Sequence, residues 1–230
     1  MTKIAIAIPS RLGSKRFPRK ALYEIYGIPI VLRVCKQAAL VLPKSDIYVV
    51  TPDEEIGMVA RDNGFQAIVN PIPCHSGTEQ IVACRHEIHA DYIVNVQGDE
   101  PFADPESIET IIKHKIDCPL LVSQGISQAT LEEAQNPNLF KIAMNTDSNI
   151  IFCSRNIIPR NADVYWRICG TYAMSQYELC RYGVLEHRLP LEKLEDSDHL
   201  RFIELGIPMI GVPIQDTPMI DEPEDIDAFE

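Results

Sequence analysis

The segment KIAIAIPSRLGSKRFPRKAL, residues 3–22, carries the two features that decide the fold. Its first part, residues 3–8, is a short apolar run that stops at Pro9. Continuous rather than alternating apolarity is typical of a strand buried on both faces, as in a mostly parallel sheet. The rest is a long loop with five basic residues: Arg11, Lys15, Arg16, Arg19 and Lys20. We therefore expect an α/β fold with a cationic loop after its first strand.

Strand-like and helix-like segments alternate after this start. β-branched or apolar runs predict strands over residues 46–50, 67–69 and 91–96. Apolar residues at helical spacing predict helices over residues 29–41, 54–63 and 78–89. This alternation predicts a three-layer α/β arrangement with a mostly parallel sheet.

The second half of the chain departs from this rhythm. Two β-like stretches, residues 139–144 and 149–153, lie too close together for a helical crossover, so we expect them to be antiparallel. They predict a small inserted β element around residues 136–175, which is a candidate dimerisation element. No linker or repeat is visible, and we expect a single domain over residues 1–230.

Composition and charge exclude several classes of function. The chain has 230 residues, a formal net charge of −12 and a pI near 4.9, which disfavours nucleic acid and anionic membranes as partners. Seven scattered cysteines without a C-x-x-C motif predict reduced thiols rather than a disulfide framework or zinc site. With no signal-like or membrane-spanning segment, we expect a cytoplasmic protein.

The basic loop is the first candidate site, because ligands of open α/β sheets bind beyond the carboxyl ends of strands. Residues 1–36 contain eight Lys or Arg and one acid, Glu24, a local charge of +7. Gly13 and Ser14 permit close backbone approach, and the cations suit a triphosphate. The loop matches neither G-x-x-x-x-G-K-[ST] nor G-x-G-x-x-G, which disfavours kinases and dehydrogenases. The alternative is a solvated basic face.

Three further segments are candidates, each with a simpler alternative. VQGDEP, residues 96–101, puts Asp99 after a strand, and MIDEPEDI, residues 219–226, puts Asp221 after the last one. The two carboxylates could share Mg²⁺, which takes one or two carboxylates plus substrate phosphates. HSGTE, residues 75–79, could cap a helix and contact a nucleotide. The alternatives are solvated acidic loops and a cap without a ligand.

In order, these segments resemble the cytidylyltransferases that activate acidic sugars, most closely the 3-deoxy-manno-octulosonate (KDO) cytidylyltransferase family. The family opening P-A-R-x-x-S-x-R-x-P-x-K-x-L is similar to residues 9–22, and Q-G-D-E-P and S-G-T-E are intact at residues 97–101 and 76–79. N-P-N-x-x-K matches residues 136–141. F-S-R followed by I-P matches residues 152–155 and 158–159, and the terminal D-x-P-E-D matches residues 221–225.

The resemblance implies a Rossmann-like nucleotidyltransferase, usually a homodimer, that uses CTP, an acidic sugar and Mg²⁺. It implies that Lys20, Arg11 and Asp99 are catalytic. The implied nucleotide-binding residues are Arg11, Ser14, Lys20, Ser76, Gly77, Thr78 and Asp99. The implied metal ligands are Asp99 and Asp221, and the implied sugar-binding residues are Gln97, Arg155, Tyr172, Asp198 and His199.

Departures from the family concentrate in the acceptor half. Ile168 stands where the family has histidine, and Asp198-His199 replaces Glu-Gln. Such changes alter which acceptor groups can be satisfied. The acceptor is thus KDO, a derivative such as 8-amino-KDO, or another acidic sugar of sialic or pseudaminic type. Two alternatives stay open: a nucleotidyltransferase for neutral sugar phosphates, and a non-catalytic nucleotide-binding regulatory module.

Overall fold

The computed structural model describes residues 2–14, 16–185 and 187–228, so Lys15 of the basic loop lies outside the described residues. The chain divides into two compact units. The first consists of Met1–Glu109 with Thr217–Glu230, and the second of Thr110–Asp216. The single domain expected over residues 1–230 stays a prediction.

The first unit alternates strands and helices. In chain order its elements are β1 (Ile4–Pro9), β2 (Glu24–Ile25), β3 (Ile28–Pro29), α1 (Ile30–Ala38), β4 (Ile47–Thr51), α2 (Glu54–Asp62), β5 (Gln66–Val69), α3 (Gly77–Cys84), β6 (Tyr92–Asn95) and the start of α4 (Pro105–Asp117). The predicted strands and helices of this half are confirmed, although α3 ends earlier than the sequence pattern indicates.

The four main strands of the first unit are parallel, in the order β6-β1-β4-β5. Ile6 lies opposite Ile47 on one side and Val94 on the other, and all three are buried. Burial on both faces explains why the strands read as continuous apolar runs. The expected α/β fold, with a mostly parallel central sheet and helices on both sides, is confirmed.

The second unit is a mixed sheet with short helices. Its elements are the end of α4, then β7 (Val122–Ala129), α5 (Leu131–Gln135), β8 (Lys141–Met144), β9 (Ile150–Ser154), β10 (Tyr165–Ser175), α6 (Gln176–Tyr182), α7 (Pro190–Glu195), α8 (His199–Glu204) and β11 (Met209–Pro213). Strand β7 pairs antiparallel with β10 and parallel with β11.

The inserted β element is present as predicted. Strands β8 and β9 pair antiparallel, with Lys141 opposite Ser154, and β8 also pairs with β10. Its role in dimerisation stays a prediction. Within the described ranges, no helix has the length and apolarity that a membrane crossing requires.

Candidate active site

Hydrogen bonds hold the basic loop after β1 in place. The backbone N–H of Leu12 donates to Asp53 Oδ2 at 2.8 Å, and Ser14 Oγ accepts from the N–H of Phe17 at 3.3 Å. Arg19 has a φ of 61°, a left-handed conformation that non-glycine residues rarely adopt. It is followed by a short 3₁₀ helix, Lys20–Leu22. The loop therefore delivers Lys20 from a strained but fixed backbone.

Lys20 lies between the two carboxylates that the sequence singles out. Its Nζ is 2.9 Å from Asp99 Oδ2 and 3.6 Å from Asp221 Oδ1, and it also donates to the carbonyl of Ile220. Arg16 Nη2 also contacts Asp221 Oδ1, at 2.9 Å. Residues separated by some 80 to 200 positions thus converge in one charged cluster. The expectation that Asp99 and Asp221 meet agrees with this geometry.

The C-terminal segment reaches this cluster because it is packed into the core of the first unit. Ile220 and Ile226 are buried together with Phe17 of the basic loop. The N–H of Ile220 donates to the carbonyl of Asp99 at 3.0 Å. Asp225 Oδ2 accepts from the N–H of Asp221 at 2.7 Å. Apolar burial and backbone hydrogen bonds therefore fix Asp221 beside Asp99 before any ligand binds.

Gly98 explains why the loop after β6 can approach β1 so closely. A Cβ at this position would lie 2.2 Å from Ser10 Oγ and 2.4 Å from the carbonyl oxygen of Pro9, so only glycine fits. The buried Ser10 hydroxyl has no hydrogen-bond partner among the residues that the structure describes. Ser10 was not expected at this site, since a lone serine after a strand carries no signal of its burial.

The SGTE segment forms the start of α3. Ser76 is its N-cap, with Oγ accepting from the N–H of Glu79 at 3.2 Å, while the Glu79 carboxylate accepts from the N–H of His75. A Cβ on Gly77 would lie 2.8 Å from Pro9 Cγ and 3.4 Å from Gln97 Oε1. Thr78 is buried. The capping alternative is thus realised, and glycine is needed here for close packing on the end of β1.

Arg11 differs from the other arginines of the loop. It is exposed, and it forms no ion pair with any residue in the described ranges, whereas Arg16 and Arg19 each contact a carboxylate.

Two cysteines of the first unit are not activated for nucleophilic attack. Burial is the main cause that raises the pKa of the Cys74 thiol, which lies near Arg11. Burial also raises the pKa of Cys84 to about 11. Both thiols are therefore protonated at neutral pH, and neither is a ready nucleophile.

Of the predicted acceptor residues, Arg155 belongs to the second unit and follows β9. Its Nη1 donates to the carbonyls of Pro137 at 3.0 Å and Asn138 at 3.3 Å. The guanidinium lies 4.2 Å from the ring centroid of Phe140, a cation–π distance. The remaining Nε and Nη2 donors make no hydrogen bond or ion pair with the described parts of the chain. Arg155 therefore retains one edge of donors that can bind a carboxylate.

Tyr172, Asp198 and His199 lie in the second unit as well. Tyr172 is fully buried and packs edge-on against the His199 ring, with centroids 5.3 Å apart. Nδ1 of His199 is 3.2 Å from Asp198 Oδ1, and its buried Nε2 has no hydrogen-bond partner among the described residues. Tyr172 thus contacts the imidazole in this conformation rather than solvent, and an unpartnered imidazole nitrogen is costly unless a ligand or water meets it.

The basic loop of the first unit suits an anionic nucleotide, and the comparison of the sequence with protein families agrees. The sequence pattern of the family described as Cytidylyltransferase matches residues 5–182, which include the basic loop, α3 and Asp99. The chain belongs to the cytidylyltransferase family.

Relatives of this cytidylyltransferase are similar over almost their whole length. The 3-deoxy-manno-octulosonate cytidylyltransferase of Escherichia coli is 33% identical, with 97% of this chain and 93% of the relative covered. The 8-amino-3,8-dideoxy-manno-octulosonate cytidylyltransferase of Shewanella piezotolerans is 32% identical, with 97% and 95% covered. A solved CMP:2-keto-3-deoxy-manno-octonic acid synthetase, complexed with CTP, superposes with a TM-score of 0.91 at 32% identity, covering 99% of this chain and 97% of that one.

The donor set of this cytidylyltransferase is compatible with one magnesium ion. The described residues contain no group of three or more His, Cys, Asp or Glu side chains placed to hold a metal. Asp99 and Asp221 together supply two carboxylates that already share one cation, Lys20. Two carboxylates are what Mg²⁺ takes when substrate phosphates complete its coordination.

Proposed function

We propose that this enzyme transfers CMP from CTP to the anomeric hydroxyl of KDO or of its 8-amino derivative and releases pyrophosphate. The observation that carries the proposal is the convergence of Lys20, Asp99 and Asp221 in the unit that begins with the basic loop. It is supported by the CTP complex of the similar synthetase and by the relatives named for KDO and for 8-amino-KDO.

In the proposed complex, Arg11, Ser14 and Lys20 bind the triphosphate. Arg11 is the exposed cation without an ion pair among the described residues, and Lys20 is the ammonium already held at the end of the sheet. Ser76, Gly77 and Thr78 lie beside the nucleotide at the start of α3, where backbone N–H groups attract anions. Gln97 contacts the sugar from the loop after β6.

Magnesium fits this proposal through Asp99 and Asp221. When bound, the ion would neutralise phosphate charge and polarise the phosphorus that is attacked. Lys20 and Arg16, which contact these carboxylates, keep the two side chains at short range from each other without the ion. The proposed ligands therefore do not have to be brought together by the metal.

The reaction requires positioning and charge stabilisation rather than a covalent enzyme intermediate. The anomeric hydroxyl of the acceptor loses its proton to solvent as its oxygen forms a bond to the α-phosphorus of CTP, and the bond from that phosphorus to the pyrophosphate oxygen breaks. Arg11 and Lys20 offset the negative charge that develops on the phosphate oxygens. The raised pKa values of Cys74 and Cys84 agree with a direct displacement, because neither thiol is ionised for attack.

In this proposal, Arg155, Asp198 and His199 of the second unit recognise the acceptor, while Tyr172, which was predicted to contact the sugar, is buried behind the His199 ring. Arg155 offers a donor edge to the sugar carboxylate, and Tyr172 orients the His199 ring. Because His199 and Asp198 replace the family's Gln and Glu, the acceptor groups that they satisfy differ from those of the common form. We propose 8-amino-KDO as the better substrate on this ground.

Pyrophosphate release tests the proposal. We expect release from CTP and Mg²⁺ with KDO and more rapidly with 8-amino-KDO, and little with sialic-type nine-carbon acids or with sugar 1-phosphates. KDO as the best substrate would overturn the altered-acceptor part alone. Tight CTP binding without release under any acidic sugar would instead identify a regulatory module. The variant Asp198→Glu/His199→Gln should shift the preference towards KDO.

We also propose a homodimer in the cytoplasm. In this proposal the interface covers Ile151 and Val164, two exposed apolar side chains of the inserted β element. All seven cysteines are free thiols, four of them buried, and this supports a reducing compartment.

A further inference from the structure

A buried lysine in the second unit shapes the surroundings of Arg155. Lys141 is the first residue of β8, and it has no exposed surface. Residues 136–140, here named the NPN loop, lead into it, and Arg155 follows directly after its neighbour strand β9. Because Lys141 lies opposite Ser154, the end of the NPN loop and the backbone of Arg155 are adjacent.

The ammonium of Lys141 is bound entirely by backbone carbonyls. Nζ donates to the carbonyl oxygens of Asn136 and Leu139, each at 2.8 Å, and to that of Arg155. No carboxylate among the described residues forms an ion pair with it. An ammonium has three donors, so all of them are used. Burial is the main cause that lowers the pKa of Lys141 from its usual value, and nearby Arg155 adds to this effect.

Burying an ammonium without a counter-ion costs free energy, so its presence here indicates a structural role. A buried charge without a counter-ion is tolerated only where hydrogen bonds replace its hydration, and a neutral side chain would fill the same space at lower cost. What the charge achieves here is geometric. Two carbonyls of the NPN loop and the carbonyl of Arg155 bind the same ammonium, which fixes their positions relative to one another.

The Arg155 side chain makes further contacts with the NPN loop. Its Nη1 donates to the carbonyls of Pro137 and Asn138, and its guanidinium lies over the Phe140 ring. Every one of these groups belongs to the NPN loop, which Lys141 holds. The loop thus occupies the Nη1 end of the guanidinium. The Nε and Nη2 edge has no partner in the described parts of the chain. Such an edge of an arginine can bind a carboxylate through two parallel hydrogen bonds.

We propose that Lys141 is a positioning residue for acceptor binding, which fixes the NPN loop and the Arg155 backbone so that the Nε and Nη2 edge of Arg155 receives the carboxylate of the sugar acid. This inference rests on the proposed function, since it names how that reaction selects an acid. The role belongs to the lysine charge, because a neutral side chain cannot draw three carbonyls together.

The test uses Lys141→Met, which keeps the length and apolar stem but removes the donors. We expect the KM for the acidic sugar to rise about tenfold or more while the KM for CTP stays within about twofold. A second readout compares the sugar acid with its methyl ester, which has no carboxylate charge. The preference of the wild type for the acid, measured as a ratio of kcat/KM, should fall about tenfold in the variant.

A double-mutant cycle separates positioning from general support. In an Arg155→Ala background, Lys141→Met should change the acceptor KM by less than about twofold, because the residue through which it acts is gone. Equal effects of Lys141→Met in both backgrounds would overturn the proposal. An unchanged acid-to-ester ratio in Lys141→Met would overturn it as well.

The matched control is Lys115→Met/Glu178→Gln. Lys115 is a second buried lysine of the same unit that also donates to two backbone carbonyls, those of Pro119 and Leu121. We expect this control to lose stability but to keep the acid-to-ester ratio. If Lys141→Met does not fold, Phe140→Leu removes the ring under the guanidinium and should lower the ratio about two- to fivefold.

Failure of the inference and failure of the proposed function give different results. If wild-type protein releases no pyrophosphate with any acidic sugar, the proposed function fails before Lys141 is examined. If the wild type is active and prefers the acid over the ester while Lys141→Met keeps that preference, only the role of Lys141 is refuted.

Discussion

Lys20 in the first unit and Lys115 in the second are both lysines beside carboxylates, but they are buried to different degrees. The Lys20 side chain is 12% exposed, and its partners Asp99 and Asp221 are 28% and 31% exposed. Lys115 and its partner Glu178 are 1% and 3% exposed. Lys20, Asp99 and Asp221 can exchange contacts with one another for contacts with a ligand, whereas Lys115 and Glu178 are shielded from solvent.

The difference shows that one pair of residue types serves two purposes. Lys115 Nζ contacts both oxygens of Glu178 at 2.7–2.8 Å and also donates to two carbonyls, so every donor has a fixed partner. Removing one member of such a pair leaves a buried charge without compensation. Around Lys20, by contrast, solvent can replace a lost partner, so substitutions there should affect chemistry more than folding.

The largest expected effect is on turnover in the first unit. Asp99→Asn keeps the size of the side chain but removes the charge that faces Lys20 and the proposed metal. We expect kcat to fall about 10²–10³-fold with a change in Tm of only a few degrees. Asp91→Asn, on the surface of the same unit, is the control and should keep wild-type activity. Full activity of Asp99→Asn would remove Asp99 from the site.

The next effect is on stability in the second unit. Lys115→Met leaves Glu178 buried and unpaired, which costs about 3–5 kcal/mol. For a chain of this length, Tm should fall by about 6–20 °C. The KM values of the remaining folded enzyme should not change. A drop in Tm below about 2 °C would show that the pair is not sealed as its burial indicates.

A smaller effect on chemistry is expected for Lys20→Ala. The variant loses an ammonium that we place on the triphosphate, so kcat/KM for CTP should fall about 10- to 100-fold. Lys36→Ala, an exposed lysine of α1, serves as the control. A wild-type kcat/KM in Lys20→Ala would show that Lys20 does not bind the triphosphate, and the functional contrast with Lys115 would no longer hold.

The smallest effect concerns pH and the second unit. Burial lowers the pKa of His114 below its ordinary value of 6.5, and its Nδ1 lies 2.8 Å from Ser123 Oγ. The unfolded chain therefore binds the His114 proton more readily than the folded chain. The stability that the neutral His114 contributes is thus present above pH 6.5 and is lost as the pH falls below that value. In urea unfolding at pH 7.5 and 5.5, His114→Gln should show a smaller loss on acidification than the wild type. Equal losses would contradict this.

Much of the first unit could be predicted from sequence because its signals are local. Continuous apolar runs closed by Pro9 or by Gln97-Gly98 mark strands buried on both faces, and the basic loop is visible as a cluster of charge. The approach of Asp99 and Asp221 was expected because each follows a predicted strand, but their shared contact with Lys20 was not.

What the sequence did not reveal depends on tertiary packing. Lys141 reads as an ordinary polar residue before a strand, and only the folded chain shows three carbonyls around its ammonium. N-P-N-x-x-K marked the segment without suggesting that role. Likewise, the burial of the Ser10 hydroxyl follows from the close approach of Gly98, which no local pattern contains. The division into two units leaves no trace in composition, because no linker separates them.

The central claim is that Arg11 of the first unit binds the nucleotide and that Arg155 of the second unit binds the carboxylate of the acceptor. The most direct test is to measure KM for CTP and for the acidic sugar in Arg11→Ala and in Arg155→Ala. We predict that Arg11→Ala raises only the KM for CTP, and that Arg155→Ala raises only the KM for the sugar, each by about tenfold or more. Equal changes of both constants in either variant, or the reverse assignment, would contradict the account.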